Sequence, residues 1–225
     1  MKTNPQFHPD TFKFLKTLKS NNNKEWFDKN RPTYEKIKKD FYGFVDKLII
    51  ELRKFNPDIE PLEAKNCVFR INRDIRFSKD KSPYKHHLAA VISRGGKKSH
   101  FAGYYFHIEP NGNTYIGGGV WRPEKDVLDK VRQEIDYNQK SFEKIILNKS
   151  FKSVFGTMNE DKMSTAPKNY AKDDPAIEWL KYKSYVFGVD MKDADAMSKT
   201  ALVQVVKTFK TLSPFIQFLN TAIGD

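Results

Sequence analysis

The sequence predicts one α+β domain over residues 1–225, with a central antiparallel sheet and helices N-terminal and C-terminal to it. Apolar residues recur at steps of three and four before residue 56 and after residue 123, which indicates helices. Between about residue 67 and residue 121 the spacing becomes alternating and glycine turns are present, which indicates strands. A chain in which a block of strands separates two blocks of helices is typical of α+β proteins.

Three helical segments are predicted before the sheet. Asp10 is placed to cap the first helix, and Asn23 is placed to cap a short second one. Pro32 suits the first turn of a long third helix. Its apolar residues stop just before the turn at 56–58, and they are Tyr34, Ile37, Phe41, Phe44, Leu48, Leu52 and Phe55. This spacing predicts an amphipathic helix that packs on the rest of the domain.

Strands are predicted where short runs are rich in β-branched and aromatic residues. These runs are the end of a strand at Val68, Phe69 and Ile71, then residues 88–93, 101–108 and 114–116, and later 185–189. Gly95-Gly96 marks one turn between them, and Asn111-Gly112 is a strong signal for a tight hairpin. The expected sheet is an antiparallel meander of about four strands over residues 67–121, which is a usual size.

Helical spacing resumes after the sheet. Helices are predicted around residues 127–135, 142–147, 177–180 and 201–223, and residues 158–174 are predicted to form a polar loop. Pro214 lies inside the last helix and is expected to kink or split it, because proline removes a backbone hydrogen bond.

The composition indicates which partners and which cellular location to expect. The formal net charge of +12 favours acidic partners such as nucleic acid, nucleotides or an anionic surface. The alternative is a lysine-rich soluble surface, and the even spread of lysines along the chain favours it. The single cysteine, Cys67, allows no intrachain disulfide. No signal peptide and no membrane span are expected, so the predicted location is the cytoplasm.

The most informative segment is residues 70–85, which contains six basic residues and only two acidic ones. Guanidinium groups bind phosphate and carboxylate through paired hydrogen bonds. We therefore predict an anion site in a strand followed by a loop. The anion would be bound by Arg70, Arg73, Arg76 and Lys81, with Tyr84 orienting it and Asp74 fixing an arginine. The alternative is a structural network in which Asp74 and Asp80 pair with the arginines.

The same residues resemble a known family signature. The pattern R-x-x-R-D-x-R-F-x-x-x-D-K-x-x-Y is filled by Arg70, Arg73, Asp74, Arg76, Phe77, Asp80, Lys81 and Tyr84. Two other segments add to the likeness, Asn22-Asn23-Lys24-Glu25-Trp26-Phe27 and Gly117-Gly118-Gly119-Val120-Trp121-Arg122-Pro123. On these residues the chain resembles the bacterial conserved hypothetical family called domain of unknown function 2461. The resemblance covers nearly the whole chain and implies no activity, as the family's name says.

Other candidate chemistry is weaker. Gly117-Gly118-Gly119 would let backbone amides approach an anion, but a bent strand end against which Trp121 packs explains the glycines better. Ser78 and Ser82 lie near basic residues, yet the sequence has no nucleophile motif. No cofactor is assigned, and whether the chain is an enzyme stays open.

The histidines do not form a recognised metal motif. His86 and His87 are adjacent, so in a strand they would point to opposite faces and not share an ion. His107 and Glu109 share one strand face, and a site built from them and one of the pair is conceivable. Exposed or hydrogen-bonded histidines explain the pattern better, so no metal is predicted.

Three functions are consistent with these observations. The leading one is binding of a phosphate-bearing or carboxylate-bearing small molecule by the arginine-rich segment. The second is non-catalytic binding of nucleic acid through the positive charge, with bases stacked on aromatic residues of a strand. Neighbours in a strand face opposite ways, so at most Tyr104 with Phe106, or Tyr105 alone, is expected to be exposed for this. The third is a protein-interaction module in which the arginines are purely structural.

Overall fold

A computed structural model, which describes residues 6–158 and 161–224, confirms the α+β prediction. Within these residues one antiparallel sheet has the strand order β1-β2-β3-β4. The strands are β1 (Leu88–Ile92), β2 (Gly103–Ile108), β3 (Thr114–Val120) and β4 (Tyr185–Met191). The helices are α1 (Pro9–Ser20), α2 (Lys24–Lys29), α3 (Arg31–Leu52), α4 (Ala64–Cys67), α5 (Lys125–Tyr137), α6 (Gln139–Ile146), α7 (Lys149–Phe155), α8 (Ile177–Leu180), α9 (Asp193–Ala196) and α10 (Ala201–Ile223).

Two stretches of the sequence-based predictions fall outside the described residues. Residues 1–5 belong to the segment in which no signal peptide is expected, and residues 159–160 belong to the predicted polar loop. Among the described helices, none combines the length and the hydrophobicity needed to span a lipid bilayer.

The N-terminal helices begin close to where their capping signals place them. The Asn23 side chain accepts a hydrogen bond from the Trp26 backbone N–H at 2.9 Å, which confirms the predicted cap of α2. Pro32 lies in the first turn of α3, also as predicted. The cap of α1 is His8, not Asp10, because the helix starts at Pro9 and Asp10 lies within its first turn.

The sheet buries one of its faces against helices. Tyr104 and Phe106 point to this face and are almost completely buried, and Phe106 packs against Phe44 of α3 with ring centroids 5.3 Å apart. Tyr105 and His107 alternate with them and are half-buried on the opposite face. The alternation predicted for this strand is therefore confirmed, and Tyr105, rather than Tyr104 with Phe106, is the partly exposed residue.

The prediction of a strand at Val68, Phe69 and Ile71 is wrong, and so is the extent of 67–121 for the sheet. Cys67 ends the short helix α4, and Val68 makes only an isolated bridge to Ala90 of β1. The fourth strand is β4, which joins the sheet beside β3.

The segment fails to form a longer ladder because it folds back on itself. Asn72 bridges Tyr84 within an irregular hairpin, and Pro83 there has no N–H to donate.

Helix α10 runs through Pro214 without a break, so the predicted split does not occur. Its buried side chains on both sides of the proline hold the helix against the sheet. Phe209 packs on Tyr104 with centroids 5.1 Å apart, and Phe215 packs on Phe187 at 5.0 Å. Burial of several large side chains outweighs the roughly 3 kcal/mol that an interior proline costs a helix.

Candidate functional site

The predicted site residues divide between two places, a loop and a cleft. We call residues 73–83 the motif loop. The Arg73 side chain stabilises this loop by binding several of its groups. Its guanidinium forms an ion pair with Asp80, donates to the Ser82 carbonyl at 3.1 Å and donates to the Ser78 hydroxyl at 3.3 Å. The side chain is 26% exposed, so Arg73 has little capacity left for a ligand.

Asp74 and Arg76 pair with each other on the surface of the motif loop. Arg76 donates to both carboxylate oxygens of Asp74, at 2.9 Å from Nε and 2.7 Å from Nη2. These hydrogen bonds lower the pKa of Asp74 and raise that of Arg76. The Arg76 guanidinium also lies 5.6 Å from the ring centroid of Phe77, which is 94% exposed.

Lys81 and Asp80 are also engaged within the motif loop, whereas Lys79 is exposed and makes no side-chain hydrogen bond or ion pair among the described residues. Lys81 donates to the Ile75 carbonyl at 3.0 Å. Asp80 accepts hydrogen bonds from the backbone N–H and the hydroxyl of Ser82, at 2.9 and 2.6 Å. Those bonds, with a further one from Arg73, lower the pKa of Asp80 to about 2. The serines considered as nucleophiles therefore serve as loop hydrogen-bond partners.

Arg70 and Tyr84 lie elsewhere, on a cleft of about 620 Å³ between α3 and residues 68–72. We call it the α3 cleft. Its walls carry five basic side chains and one acidic one, Glu35. The basic residues are Arg31, Lys38, Arg70, Lys97 and Lys98, and the aromatic lining includes Phe27, Tyr34, Phe41, Tyr42, Phe69 and Tyr84. Apart from Arg70, none of these cations was predicted as a site residue.

The cations of the α3 cleft differ in what already binds them. Arg31 pairs with Asp28 at 2.5 Å, and Lys38 pairs with Glu35 at 3.4 Å.

Lys97 donates to the carbonyls of Lys65 and Val68, at 2.7 and 2.6 Å. Arg70 and Lys98 make no side-chain hydrogen bond or ion pair within residues 6–158 and 161–224.

Arg70 has a second cation, Lys85, close to it, and it also interacts with Asp74, whose pKa it helps to lower. Lys85 donates to the Arg70 carbonyl at 3.0 Å, and its ammonium lies 5.4 Å from the Phe69 ring centroid. Burial, and then repulsion by Arg70, lower the pKa of Lys85. A second cation pressed against Arg70 raises the local potential, which favours an anion at this end of the cleft.

Aromatic packing gives the cleft a rigid floor. Tyr84 stacks on Phe27 with ring centroids 4.0 Å apart and planes within 14°. The Asn22 amide holds Tyr84 from the other side, donating to its carbonyl at 2.8 Å and accepting from its N–H at 3.0 Å. Tyr84 is almost completely buried and forms part of the floor of the cleft. Sequence reasoning missed the role of Asn22, because the contact spans 62 positions.

Tyr34 offers a polar group within the aromatic wall. Burial raises the pKa of Tyr34 to about 12, so its hydroxyl stays protonated at neutral pH. That hydroxyl has no hydrogen-bond partner in the described part of the chain. Lys38 lies 6.0 Å from the Tyr34 ring centroid. A neutral donor beside a cation is a suitable pair for one anionic group.

The three consecutive glycines have a structural explanation. Gly117, Gly118 and Gly119 all lie within β3, where a side chain at any of them would collide with a neighbouring strand. Gly119 also has a φ of +134°, which other residues rarely adopt. The bent-strand interpretation therefore agrees with the geometry. The expected packing of Trp121 is wrong, because its side chain is 68% exposed.

The histidines come closer together than the sequence argument allows. His86 and His87 lie in a bend before β1, so the alternation of a strand does not apply to them. Both face Glu109, with His86 Nε2 3.0 Å from Oε1 and His87 Nδ1 3.7 Å from Oε2. His107 does not join them, because its ring nitrogens contact the Tyr105 hydroxyl at 3.0 Å and the Asn113 carbonyl at 2.7 Å.

Comparison with known proteins yields one match. The model of a family described as conserved hypothetical protein (DUF2461) matches residues 10–218. No curated protein matches the chain. No solved structure matches it either.

Proposed function

Because the chain belongs to the conserved hypothetical protein family DUF2461, whose name assigns no activity, we propose a function from its own geometry. The protein binds a phosphate-bearing or carboxylate-bearing small molecule in the α3 cleft. One observation carries this proposal, namely five basic side chains and one acidic side chain around an aromatic cleft of about 620 Å³. Clefts of roughly 300–1,000 Å³ are the usual size for small-molecule sites.

Arg70 is the expected anchor of the anion. Its guanidinium is unpaired within the described residues, is exposed at the cleft and has a fork of donors that fits phosphate or carboxylate. Lys98 is the second unpaired cation. The aromatic lining favours a ligand that combines the anionic group with a planar or apolar part.

This proposal changes the site predicted from the sequence. It retains Arg70 as a ligand-binding residue and Tyr84 as part of the floor. Arg73, Asp74, Arg76 and Lys81 belong to the motif loop instead.

Thermal denaturation with a panel of anions tests the proposal. The panel contains inorganic phosphate, mononucleotides, sugar phosphates and di- and tricarboxylates, at about 0.01 M ionic strength where screening is weak. A cognate anion at about 100 times its Kd is expected to raise the Tm by about 5 to 10 °C. The Arg70→Gln variant is expected to lose this rise.

Arg76→Gln is the matched control, because it removes an arginine of the same motif that lies outside the cleft. It is expected to keep the full response to the anion. The proposal fails if none of the anions stabilises the protein. It also fails if Arg70→Gln responds as the wild type does.

Nucleic-acid binding is a second candidate, favoured by two exposed aromatic residues whose rings each lie next to an arginine guanidinium. Phe77 is 94% and Trp121 is 68% exposed, and Arg122 lies 4.9 Å from the Trp121 ring centroid. Exposed aromatic rings beside cations are suited to stack single-stranded bases. The net charge of +12 supports the same function.

Fluorescence anisotropy with a short single-stranded oligonucleotide tests this candidate. Binding is expected to weaken steeply with salt, and Phe77→Ala together with Trp121→Ala is expected to weaken it further. Tyr137→Ala is the control, because Tyr137 is 73% exposed and no arginine of the described part of the chain lies over its ring. Affinity that is independent of salt, or of both aromatic residues, argues against nucleic-acid binding.

The third candidate is a protein-interaction module with a structural arginine network. Support exists for the arginine network but not for an interaction with another protein. Arg73 forms such a network inside the motif loop. We assign no reaction. We propose a bacterial cytoplasmic location, which rests on the family resemblance and on Cys67 being a lone, fully buried thiol whose pKa burial raises to about 11.

A further inference from the structure

Two imidazoles and a carboxylate converge where β1 begins and β2 ends. The ligand atoms of His86, His87 and Glu109 all lie within 4.8 Å of one another. We propose that these three residues bind one divalent transition-metal ion of the zinc class and leave a further coordination position open. None of these three residues lines the α3 cleft, so metal binding can be tested independently of the proposed anion binding.

The sheet register explains why the three residues meet. Leu88 pairs with Ile108 across β1 and β2. One step beyond that pair, the antiparallel register places His87 opposite Glu109. The bend at 86–87 then turns His86 toward the same carboxylate. In a regular strand, His86 and His87 would point to opposite faces and could not both reach Glu109.

An unsatisfied polar atom points to a missing ligand. His87 Nδ1 is buried and has no hydrogen-bond partner, and it is the one such side-chain atom among the described residues. Leaving a buried polar atom unpaired costs free energy. Its distance of 3.7 Å from Glu109 Oε2 is too long for a hydrogen bond but leaves a position that a cation can bridge.

The distances and the donor set fit a zinc-class ion. A tetrahedral ion with ligands at about 2.0–2.1 Å separates its ligand atoms by about 3.3 Å. His86 Nε2 lies 3.0 Å from Glu109 Oε1, and His87 Nδ1 lies 3.7 Å from Glu109 Oε2. All three ligand atoms lie within 4.8 Å of one another, so small side-chain adjustments bring them to the spacing of one tetrahedral ion. Imidazole nitrogens select zinc and its transition-metal neighbours over magnesium or calcium.

Within residues 6–158 and 161–224, no further His, Cys, Asp or Glu joins the cluster to fill the fourth position. The nitrogens of His107 are engaged elsewhere, and its ring packs 5.2 Å from that of His87, which helps to orient the latter. Two histidines and one glutamate with an open position are typical of zinc sites that bind water or a substrate, rather than of closed structural sites. The described residues contain no second cluster of three such donors.

Metal titration of the tag-free, chelator-treated full chain tests the proposal. Isothermal titration with Zn²⁺ is expected to give one saturable site per chain, and Co²⁺ is expected to give visible absorption bands of low-symmetry coordination. Glu109→Gln and His86→Gln are expected to lose affinity by at least the roughly 10- to 100-fold that loss of an outer-shell partner costs. His100→Gln, which changes an exposed histidine outside the cluster, is expected to bind as the wild type does.

Urea denaturation without metal serves as the folding control. His86 is the more exposed of the two histidine ligands, at 37%, so His86→Gln is expected to keep the wild-type midpoint even if Glu109→Gln does not. The proposal is overturned if neither ion shows saturable binding. It is equally overturned if a folded His86→Gln variant binds Zn²⁺ with wild-type affinity.

Discussion

The motif loop and the α3 cleft are both rich in cations, but they differ in how many of those cations are already bound. In the motif loop Arg73, Arg76 and Lys81 all hydrogen-bond to groups of the loop itself. In the cleft Arg70 and Lys98 have no such partner within the described residues. A sequence gives the number of charges, whereas the capacity to bind a ligand depends on the charges that remain unpaired.

The difference assigns distinct roles to neighbouring arginines of one motif. Arg70 precedes the hairpin that Asn72 and Tyr84 close, and its side chain lies at the cleft. Arg73 follows Asn72, and its side chain lies inside the loop. Arg70 lies outside the loop that Arg73 organises, so its guanidinium is exposed at the cleft and is not used by the loop.

The largest expected effect is at Asn22, which holds Tyr84 in the floor of the cleft. Its amide pairs with both the N–H and the C=O of Tyr84, where a neighbouring strand would otherwise pair. Asn22→Ala leaves both groups without a partner, at roughly 1–3 kcal/mol each. We expect the free energy of unfolding to fall by about 2 to 4 kcal/mol, measured by urea denaturation.

Asn21→Ala is the control for this variant. The Asn21 amide donates only to the Thr17 carbonyl at the exposed end of α1. We expect a loss of less than about 1 kcal/mol there. Equal losses at the two asparagines would mean that Asn22 does not hold the floor of the cleft.

The sequence predicts the local elements of this fold well. The regular apolar spacing of α3 and the alternation at Tyr104 and Phe106 both reflect burial of one face, and a period of 3.6 or 2 records that burial. The strand predicted at Val68 fails because hydrophobic residues also occur in buried irregular segments. The split expected at Pro214 fails because tertiary packing outweighs local propensity.

The candidate site is less predictable, because tertiary packing assembles it. Arg31 and Lys38 come from α3, whereas Lys97 and Lys98 follow the turn at Gly95-Gly96, and no local pattern links them to Arg70. The contact between His87 and Glu109 was within reach of the sequence. A correct register for β1 and β2 would have placed them opposite each other.

The next largest effect is expected at Arg73. Arg73→Met keeps the apolar stem but leaves the Ser82 carbonyl and the Ser78 hydroxyl without this donor. The exposed ion pair with Asp80 adds little. We expect the free energy of unfolding, measured by urea denaturation, to fall by about 1 to 3 kcal/mol. The Kd for an anion that binds the cleft is expected to stay unchanged.

Arg76→Met is the control for Arg73, because its ion pair with Asp74 lies on the surface. We expect its urea midpoint to equal that of the wild type. If Arg76→Met destabilises the protein as much as Arg73→Met does, the motif loop is not organised around Arg73.

A smaller effect on stability is expected at Arg70. Its side chain makes no hydrogen bond or ion pair within the described residues, so Arg70→Met removes no favourable contact of that kind. We expect the free energy of unfolding to change by less than about 0.5 kcal/mol, the usual range for surface substitutions. A small gain would follow from relief of repulsion with Lys85, whose pKa Arg70 lowers. A loss as large as that of Arg73→Met would make Arg70 a structural residue.

The smallest effect concerns the pH dependence that Asp80 contributes. Hydrogen bonds from Ser82 and Arg73 lower its pKa from 3.8 to about 2 in the folded chain. A carboxyl whose pKa is lowered by folding stabilises the fold above its unfolded pKa, and that contribution disappears as pH falls through the folded pKa. The advantage of the wild type over Asp80→Asn in urea should therefore shrink between pH about 5 and pH about 2. Asp173→Asn, at an exposed carboxylate with no ion pair in the described chain, should show no such trend. An Asp80→Asn difference that stays constant over this range would show that the charge of Asp80 does not help to close the motif loop.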